Sequence, residues 1–460
     1  MQTGYEAIVR GGTVVTPEGV TELDVAIRDG RIAGLLPAGD RALADTEIDA
    51  NGLIVTPGGI DTHTHVRWPH DGTFTTDNFY SATRAAVLGG TTTIIDFVPP
   101  GKGDLRDRCH ARADEARTGS VIDFALHPIL TSATRQVLES IDRVVGDGFT
   151  SFKMYTTYDD RRIDDGAAWQ LMNAIAAAGG LPGFHAENHE LLNSILGCQV
   201  ESGQLSLRDY PASRPALAEA ESIQMVSLYA GRIGTPVYIF HVSGKEAMDA
   251  VRSAKAAGVR IYAETCTHYL TLDDAVFGEP DAWKYVISPP LRQAADRNDL
   301  WTSIADGSIT SIGSDHCAYD SELKRGKIND HRSIPAGAPG IEARTPLLFS
   351  GTTQRGLGYE TFSQVTAERA AKALGLYPHK GVIQIGADAD LVLWDANAER
   401  QASDLESASE STFSLYEGIV TKGRPRDVLV AGNHVVQNGE FVGAAGSGRF
   451  IHRTRHNAIS

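Results

Sequence analysis

The stretch VYIFHVSGKEAMDAVRSAKAAGVRIYAETC (237–266) decides the fold. Two apolar β runs, 237–243 and 260–266, enclose KEAMDAVRSAKAAG, whose apolar residues recur at helical spacing and which stops at glycine. Strand, helix and strand in that order are the pattern of a parallel sheet covered by helices. Outward from it the same texture repeats in LIVTPGGID (53–61), TTTIIDF (91–97), VIDFALHPI (121–129), FTSFKMY (149–155), LPGFHAE (181–187) and ITSIGSD (309–315). Eight such units predict an α/β fold with a closed (β/α)8 TIM barrel.

The chain ends read differently. YEAIVRGGTVVTPEG, LDVAIRDGRIAGLLP and ADTEIDANGLIV near the start, and GADADLVLWD and PRDVLVAGNHVVQNGEFVG near the finish, are short strands broken by turn residues. The Asn438-Gly439 pair favours a tight primed hairpin. Together the two ends predict a small β-sandwich domain of residues 1–54 plus 384–445, a barrel over 55–383 and a tail over 446–460. Segments 316–340 and 396–413 read as loops, the first directly after the eighth barrel strand, where this fold builds active sites.

Of 460 residues, 58 are Asp or Glu and 42 Lys or Arg, a formal charge of −16 that repels nucleic acid and anionic membrane and leaves a small molecule as the expected partner. Cys109, Cys198, Cys266 and Cys317 are scattered, without a C-x-x-C pair or a secretory pattern. Neither a disulfide framework nor a thiolate zinc knuckle is expected, and a reducing cytoplasm fits. No apolar run approaches the roughly 18 residues that span a bilayer.

Six polar residues fall at or just past the ends of the barrel runs: His63, His65, Lys153, His185, His241 and Asp315. A single histidine there is ordinarily a hydrogen-bonded structural residue. Four imidazoles and a carboxylate converging on one face instead supply nitrogen and oxygen donors suited to zinc or another first-row divalent ion. His63 and His65 alternate on a strand and so share a side. Lys153 is the odd member, since an ammonium has no lone pair. Either it is salt-bridged in the barrel mouth, or a carbamate formed with CO₂ makes it an anionic ligand able to bridge two metals.

In order, GGIDTHTH, GGTTTIIDFV, SFKMYTTY, FHAEN, FHVSGKEAM, SPPLR and GSDH resemble the cyclic amidohydrolases of the hydantoinase and dihydropyrimidinase family. PGIEARTPLLFS, AKALGLYPHKG, GADADLVLWD and GEFVGAAGSGRF extend the resemblance through the C-terminal part. It implies that His63 and His65 bind the more buried metal, that Lys153 is the carbamylated (N6-carboxylysine) bridge, and that His185 and His241 bind the second metal. Asp315 matches the aspartate that binds the first metal and moves protons. The oxyanion-stabilising tyrosine, five residues after the lysine, is Tyr158 rather than Tyr155, and main-chain groups of Ser288 hold the substrate amide.

The activity so implied is hydrolysis of a cyclic amide in a hydantoin, dihydropyrimidine or related ureide or imide ring. Two divalent ions, zinc first with Mn2+ or Co2+ as alternatives, bridge the attacking hydroxide; Asp315 shuttles the proton and Tyr158 steadies the oxyanion. The family is homo-oligomeric, so a tetramer or dimer is expected.

Two departures stand out. IPAG (334–337) places Ala336 where hydantoinases often have Asn, at a main-chain contact to substrate. Arg67, two residues after His65, makes an H-x-H-x-R pattern that looks like the dihydroorotases and allantoinases, where the arginine can face an acid-bearing ring. The alternative is that Arg67 pairs with a protein carboxylate such as Asp71. A competing reading of another class is a non-catalytic, dihydropyrimidinase-like scaffold, against which all six ligand positions and Tyr158 carry working residue types.

Overall fold

The computed structural model describes residues 4–70, 72–403 and 407–456. All eight expected runs are barrel strands: Gly59–Thr64, Thr91–Val98, Asp123–Pro128, Ser151–Tyr155, Leu181–His185, Val237–Ile239, Ile261–Cys266 and Ile309–Gly313. The first three pair in parallel, as do the last five. Bridges between Ile129 and Lys153 and between Thr64 and His316 join the two groups and close the ring. The interior is filled by side chains such as Ile95, Phe97, Tyr238 and Phe240, and burial on both faces is why these strands read as continuous apolar runs. Around the ring, helices such as Lys245–Ala256 bury one stripe, here Ala247, Met248, Ala250, Val251 and Ala254.

Both chain ends build the second domain. Strands Tyr5–Thr16, Gly19–Arg28, Arg31–Pro37, Ala44–Asp49 and Ile54–Pro57 join Leu391–Gln401, Val420–Val430, Asn433–Gln437 and Glu440–Phe441 in one hydrogen-bonded sheet. The long strand Tyr5–Thr16 pairs with Ala44–Asp49 along its first half and with Ile54–Pro57 along its second, with a register break between Val9 and Gly12. The sheet bends there and folds over its own core of Val9, Val14, Val25, Ile27, Val55 and Leu391, which makes it a β-sandwich.

Two segments differ from the sequence reading. The run 53–61 is two strands: Ile54–Pro57 pairs with Leu391–Trp394 in the terminal sheet, and Gly59–Thr64 opens the barrel. Between them a Cβ at Gly58 would lie 2.0 Å from Thr92 Oγ1, so only glycine lets the chain cross so closely. The strand starting at Leu391 also continues to Gln401 by pairing Glu399, Arg400 and Gln401 with Lys422, Thr421 and Val420, so 396–401 is not loop.

Candidate metal centre and active site

Each of the six residues reaches the C-terminal mouth of the barrel by its place on a strand. His63 and Lys153 sit inside their strands, His185 is the last residue of its own, and His65, His241 and Asp315 follow theirs by one or two residues. Tyr158 (φ +75°), His241 (φ +42°) and Asp315 (φ +49°) have left-handed backbone conformations that L side chains avoid at about 1–3 kcal/mol each. The surrounding packing holds these strained positions where the six groups meet.

His63 Nε2, His65 Nε2 and Asp315 Oδ1 crowd together: 3.0 Å from His63 to Asp315, 3.2 Å from His65 to Asp315 and 3.2 Å between the imidazole nitrogens. Lys153 Nζ lies 3.2 Å from the same His63 nitrogen. His241 packs on His185 with ring centroids 4.5 Å apart and lies 5.3 Å from His63. His65 Nδ1 and His241 Nδ1 are buried with no hydrogen-bond partner among the described residues. Four-coordinate zinc with ligands at about 2.0–2.1 Å has tetrahedral edges of about 3.3 Å, close to the spacing of these lone-pair atoms. The donor set therefore fits a divalent ion.

Electrostatics point the same way. Burial pulls the His65 imidazole down to about 3 and His185 to about 4, which keeps both neutral and their lone pairs available. Burial opposes charge on His63 as well, but Asp315 and Glu264 outweigh it and raise the ring, so this point of the mouth calls for positive charge. Burial would raise the Asp315 carboxyl, yet His63 and His65 hold it well below the usual carboxylate range. Burial brings the Lys153 amine down to about 8, towards the neutral form that reacts with CO₂.

Two carboxylates absent from the sequence-derived set orient these ligands. Glu264 Oε1 lies 2.7 Å from His63 Nδ1 and accepts the His241 amide at 3.2 Å, while Oε2 accepts the hydroxyls of Thr62 at 2.6 Å and Tyr238 at 2.7 Å. The pairing places the His63 proton on Nδ1 and turns Nε2 to the cluster. Glu187 does the same for His185, accepting from Nε2 at 2.6 Å and from Arg214 Nε at 3.1 Å, which leaves Nδ1 for the mouth. Burial would raise Glu187, but Arg214 and His185 hold it at about 2. A glutamate inside an apolar run (AETC) and one following a candidate ligand (HAEN) were the available sequence signals.

The cluster opens on a cavity of about 570 Å³ lined by Tyr158, Ser288, Ala336 and Gly337 as well as by Lys153, His185, His241 and Asp315. The Tyr158 ring packs 5.0 Å from His185, and Arg214 lies over it at 5.2 Å. Burial raises its phenol, which keeps the hydroxyl protonated and able to donate. Tyr155 also lines the cavity, from inside its strand.

Arg67 is not part of this constellation. Its guanidinium, half-exposed, pairs with Glu115 at 3.0 Å and lies 4.7 Å over Phe74, outside the residues lining the cavity. The carboxylate it finds is thus Glu115 on the neighbouring helix Leu105–Gly119; Asp71 lies outside the described residues. Trp68 beside it does turn inward, its ring 4.8 Å from His65 and lining the cavity.

Comparison with known proteins gives a consistent set. Residues 216–435 match the model of the amidohydrolase family. The D-hydantoinase of Ralstonia pickettii is 36% identical over 457 residues, covering 98% of this chain and 99% of its own. That of Geobacillus stearothermophilus is 36% identical over 462 residues, covering 98% and 97%. Among solved structures, a D-hydantoinase superposes with a TM-score of 0.94 at 36% identity, covering 98% of this chain and 99% of its own. The dihydropyrimidinase of Brevibacillus agri superposes with 0.93 at 34%, with the same coverage.

Proposed function

Because the chain belongs to the hydantoinase and dihydropyrimidinase family of cyclic amidohydrolases, we propose that it is a metal-dependent hydrolase that opens a hydantoin, dihydropyrimidine or related ureide or imide ring to an N-carbamoyl amino acid or its analogue. The reading rests on one observation: the lone-pair atoms of His63, His65 and Asp315 within 3.2 Å of each other, at the edge of a cavity also lined by Tyr158 and Ser288.

His63, His65 and Asp315 would hold one divalent ion, His185 and His241 a second, and Lys153 as its carbamate would bridge them. Nitrogen and oxygen donors without thiolate suit zinc, with Mn2+ or Co2+ as alternatives. When bound, the ions polarise the amide carbonyl and make water acidic enough to attack at neutral pH. Asp315, held ionised, takes the attacking water's proton and delivers it to the leaving ring nitrogen. The protonated Tyr158 phenol donates to the developing oxyanion. Main-chain groups of Ser288 and Ala336 hold the ring amide, and Glu187 and Glu264 fix the imidazoles. With Arg67 on Glu115, the acid-bearing rings of the allantoinase- and dihydroorotase-like reading lose their expected partner.

The enzyme works as a cytoplasmic homo-oligomer, a tetramer or dimer, in keeping with four cysteines that are all free thiols; light scattering of purified protein reads the assembly. The proposed chain division is residues 1–54 and 384–445 for the sandwich, 55–383 for the barrel and 446–460 for a tail, with Val55 and Ile383 at the boundary packing in the sandwich core. The functional test is a panel of 5-substituted hydantoins, dihydrouracil, allantoin and dihydroorotate assayed on one metal-replete preparation. Ring opening of hydantoins or dihydrouracil is expected. Exclusive turnover of dihydroorotate or allantoin, lost in Arg67→Ala, would transfer the chain to the rival specificity, and no turnover at all with metal and bicarbonate supplied would favour a scaffold.

A further inference from the structure

Two segments line the cavity beside the clustered histidines, one around Val286 and Ser288 and one around Ala336 and Gly337. They touch directly through one hydrogen bond, from the Gly337 amide to the Val286 carbonyl at 3.0 Å. Behind them lies Lys324, on the one-turn helix Ser321–Arg325 within the segment that follows the eighth barrel strand. Its side chain is completely buried. Its ammonium donates to the carbonyls of Gly337 at 2.6 Å, Val286 at 3.0 Å and Lys284 at 3.4 Å, and Phe413 presents its ring 5.4 Å away. No carboxylate among the described residues pairs with it.

A buried cation without a counter-ion is unfavourable unless each N–H is matched. Here three N–H groups meet three carbonyls, which only the ammonium form can satisfy. Burial pulls this lysine down to about 7, with Cys317 nearby favouring the charged form, and the geometry of the three carbonyls is what matches its N–H groups. The three acceptors come from the two segments of chain that form the wall, and a methylene chain with no charge would take the ammonium from all three, leaving Val286 with only the Gly337 amide. A lysine used merely to fill space in a core would have no reason to span them.

We propose that Lys324 is a positioning residue for substrate: it clamps the 284–288 segment to the 336–337 segment and so sets the spacing of the main-chain groups that grip the ring amide. It touches no reacting atom and acts through Ser288 and Ala336. The inference rests on the functional reading above, in which those two residues hold the ring. Because the clamp acts on the backbone, it works with alanine at position 336, where the functional reading has a main-chain contact.

The test is Lys324→Met, which keeps the length and removes the charge, with Lys324→Gln as a second variant retaining two N–H donors. Metal content, kcat and KM for the best cyclic amide, and amide hydrogen exchange of peptides covering 284–292 and 334–340 are measured on each and on wild type. Expected for the methionine variant are two metals per chain as in wild type, KM raised at least tenfold with kcat changed less than threefold, and exchange at the Gly337 amide at least tenfold faster. Glutamine should fall between methionine and lysine. A folded, metal-replete methionine variant with wild-type KM, or with wild-type Gly337 exchange, overturns the clamp. If methionine does not fold, wild-type KM in the glutamine variant overturns it. Should wild type open no cyclic amide, the functional reading fails on its own, and the exchange measurement still decides whether the two segments are clamped.

Discussion

The two ends of the barrel handle buried charge in opposite ways. At the N-terminal end, where the barrel meets the terminal sheet, Lys380 is buried against Asp123 and Asp390 at 2.7 Å each and Asp388 at 3.1 Å, and Arg449 of the tail adds a second cation on Asp123 at 2.7 Å. Opposite charges face each other and the cluster closes on itself. At the C-terminal mouth lone-pair atoms crowd together instead: the His63 and His65 imidazole nitrogens face each other and the Asp315 carboxylate, with the Lys153 amine beside His63. In the proposed metal centre, cations from outside complete that arrangement. In this fold the first pattern belongs to the stability face and the second to the reaction face.

The largest effect that could break this contrast is at Asp315. On the proposed mechanism Asp315→Asn removes the proton carrier and a metal ligand together, and kcat should fall by about 10³–10⁴ with the circular dichroism spectrum and melting temperature nearly unchanged. A loss of less than tenfold would remove Asp315 from the reaction. Chelation should also abolish activity, and the assay should recover only when divalent metal is returned.

Lys380→Met tests the other end. It leaves Asp123, Asp388 and Asp390 facing one another without their shared cation, so urea denaturation should report a loss of about 3–5 kcal/mol. Residual folded protein should keep its metal content and KM. A neutral effect on stability would mean that the buried ion cluster contributes no net stability to the fold.

The comparison also shows why parts of the molecule were legible in sequence and others were not. Barrel strands buried on both faces leave continuous apolar runs, so all eight were readable, and the clustering of the four histidines was readable because strand ends are fixed by those runs. Where a run serves two sheets, as at 53–61, apolarity alone does not mark the crossing; Gly58 does, but only once Thr92 is known to lie against it. Glu264 and Glu187 escaped because a buried carboxylate is recognised by the donors around it, which come from distant strands. Arg67 was visible as a residue but not as a direction: its partner Glu115 is 48 positions away on a helix.

A smaller effect sharpens the picture behind the mouth. Asp77 is buried, which would raise its carboxyl, but His316 at 3.0 Å and the Ser409 hydroxyl hold it at about 2. Because the folded value is depressed, its contribution is present above the ordinary carboxylate value near 4 and is lost as pH falls towards 2, an amount of about 2 kcal/mol. Melting temperatures of wild type should therefore drop more steeply than those of Asp77→Asn between pH 4 and pH 2, and parallel curves would contradict the assignment.

The central claim is that the crowded lone pairs at the mouth are the two halves of a metal centre joined through Lys153. Its most direct test is metal stoichiometry by elemental analysis of wild type and Lys153→Met, each reconstituted with zinc and bicarbonate. Two ions per chain in wild type and at most one in the folded variant are predicted. Two ions in both, or none in wild type, would contradict it.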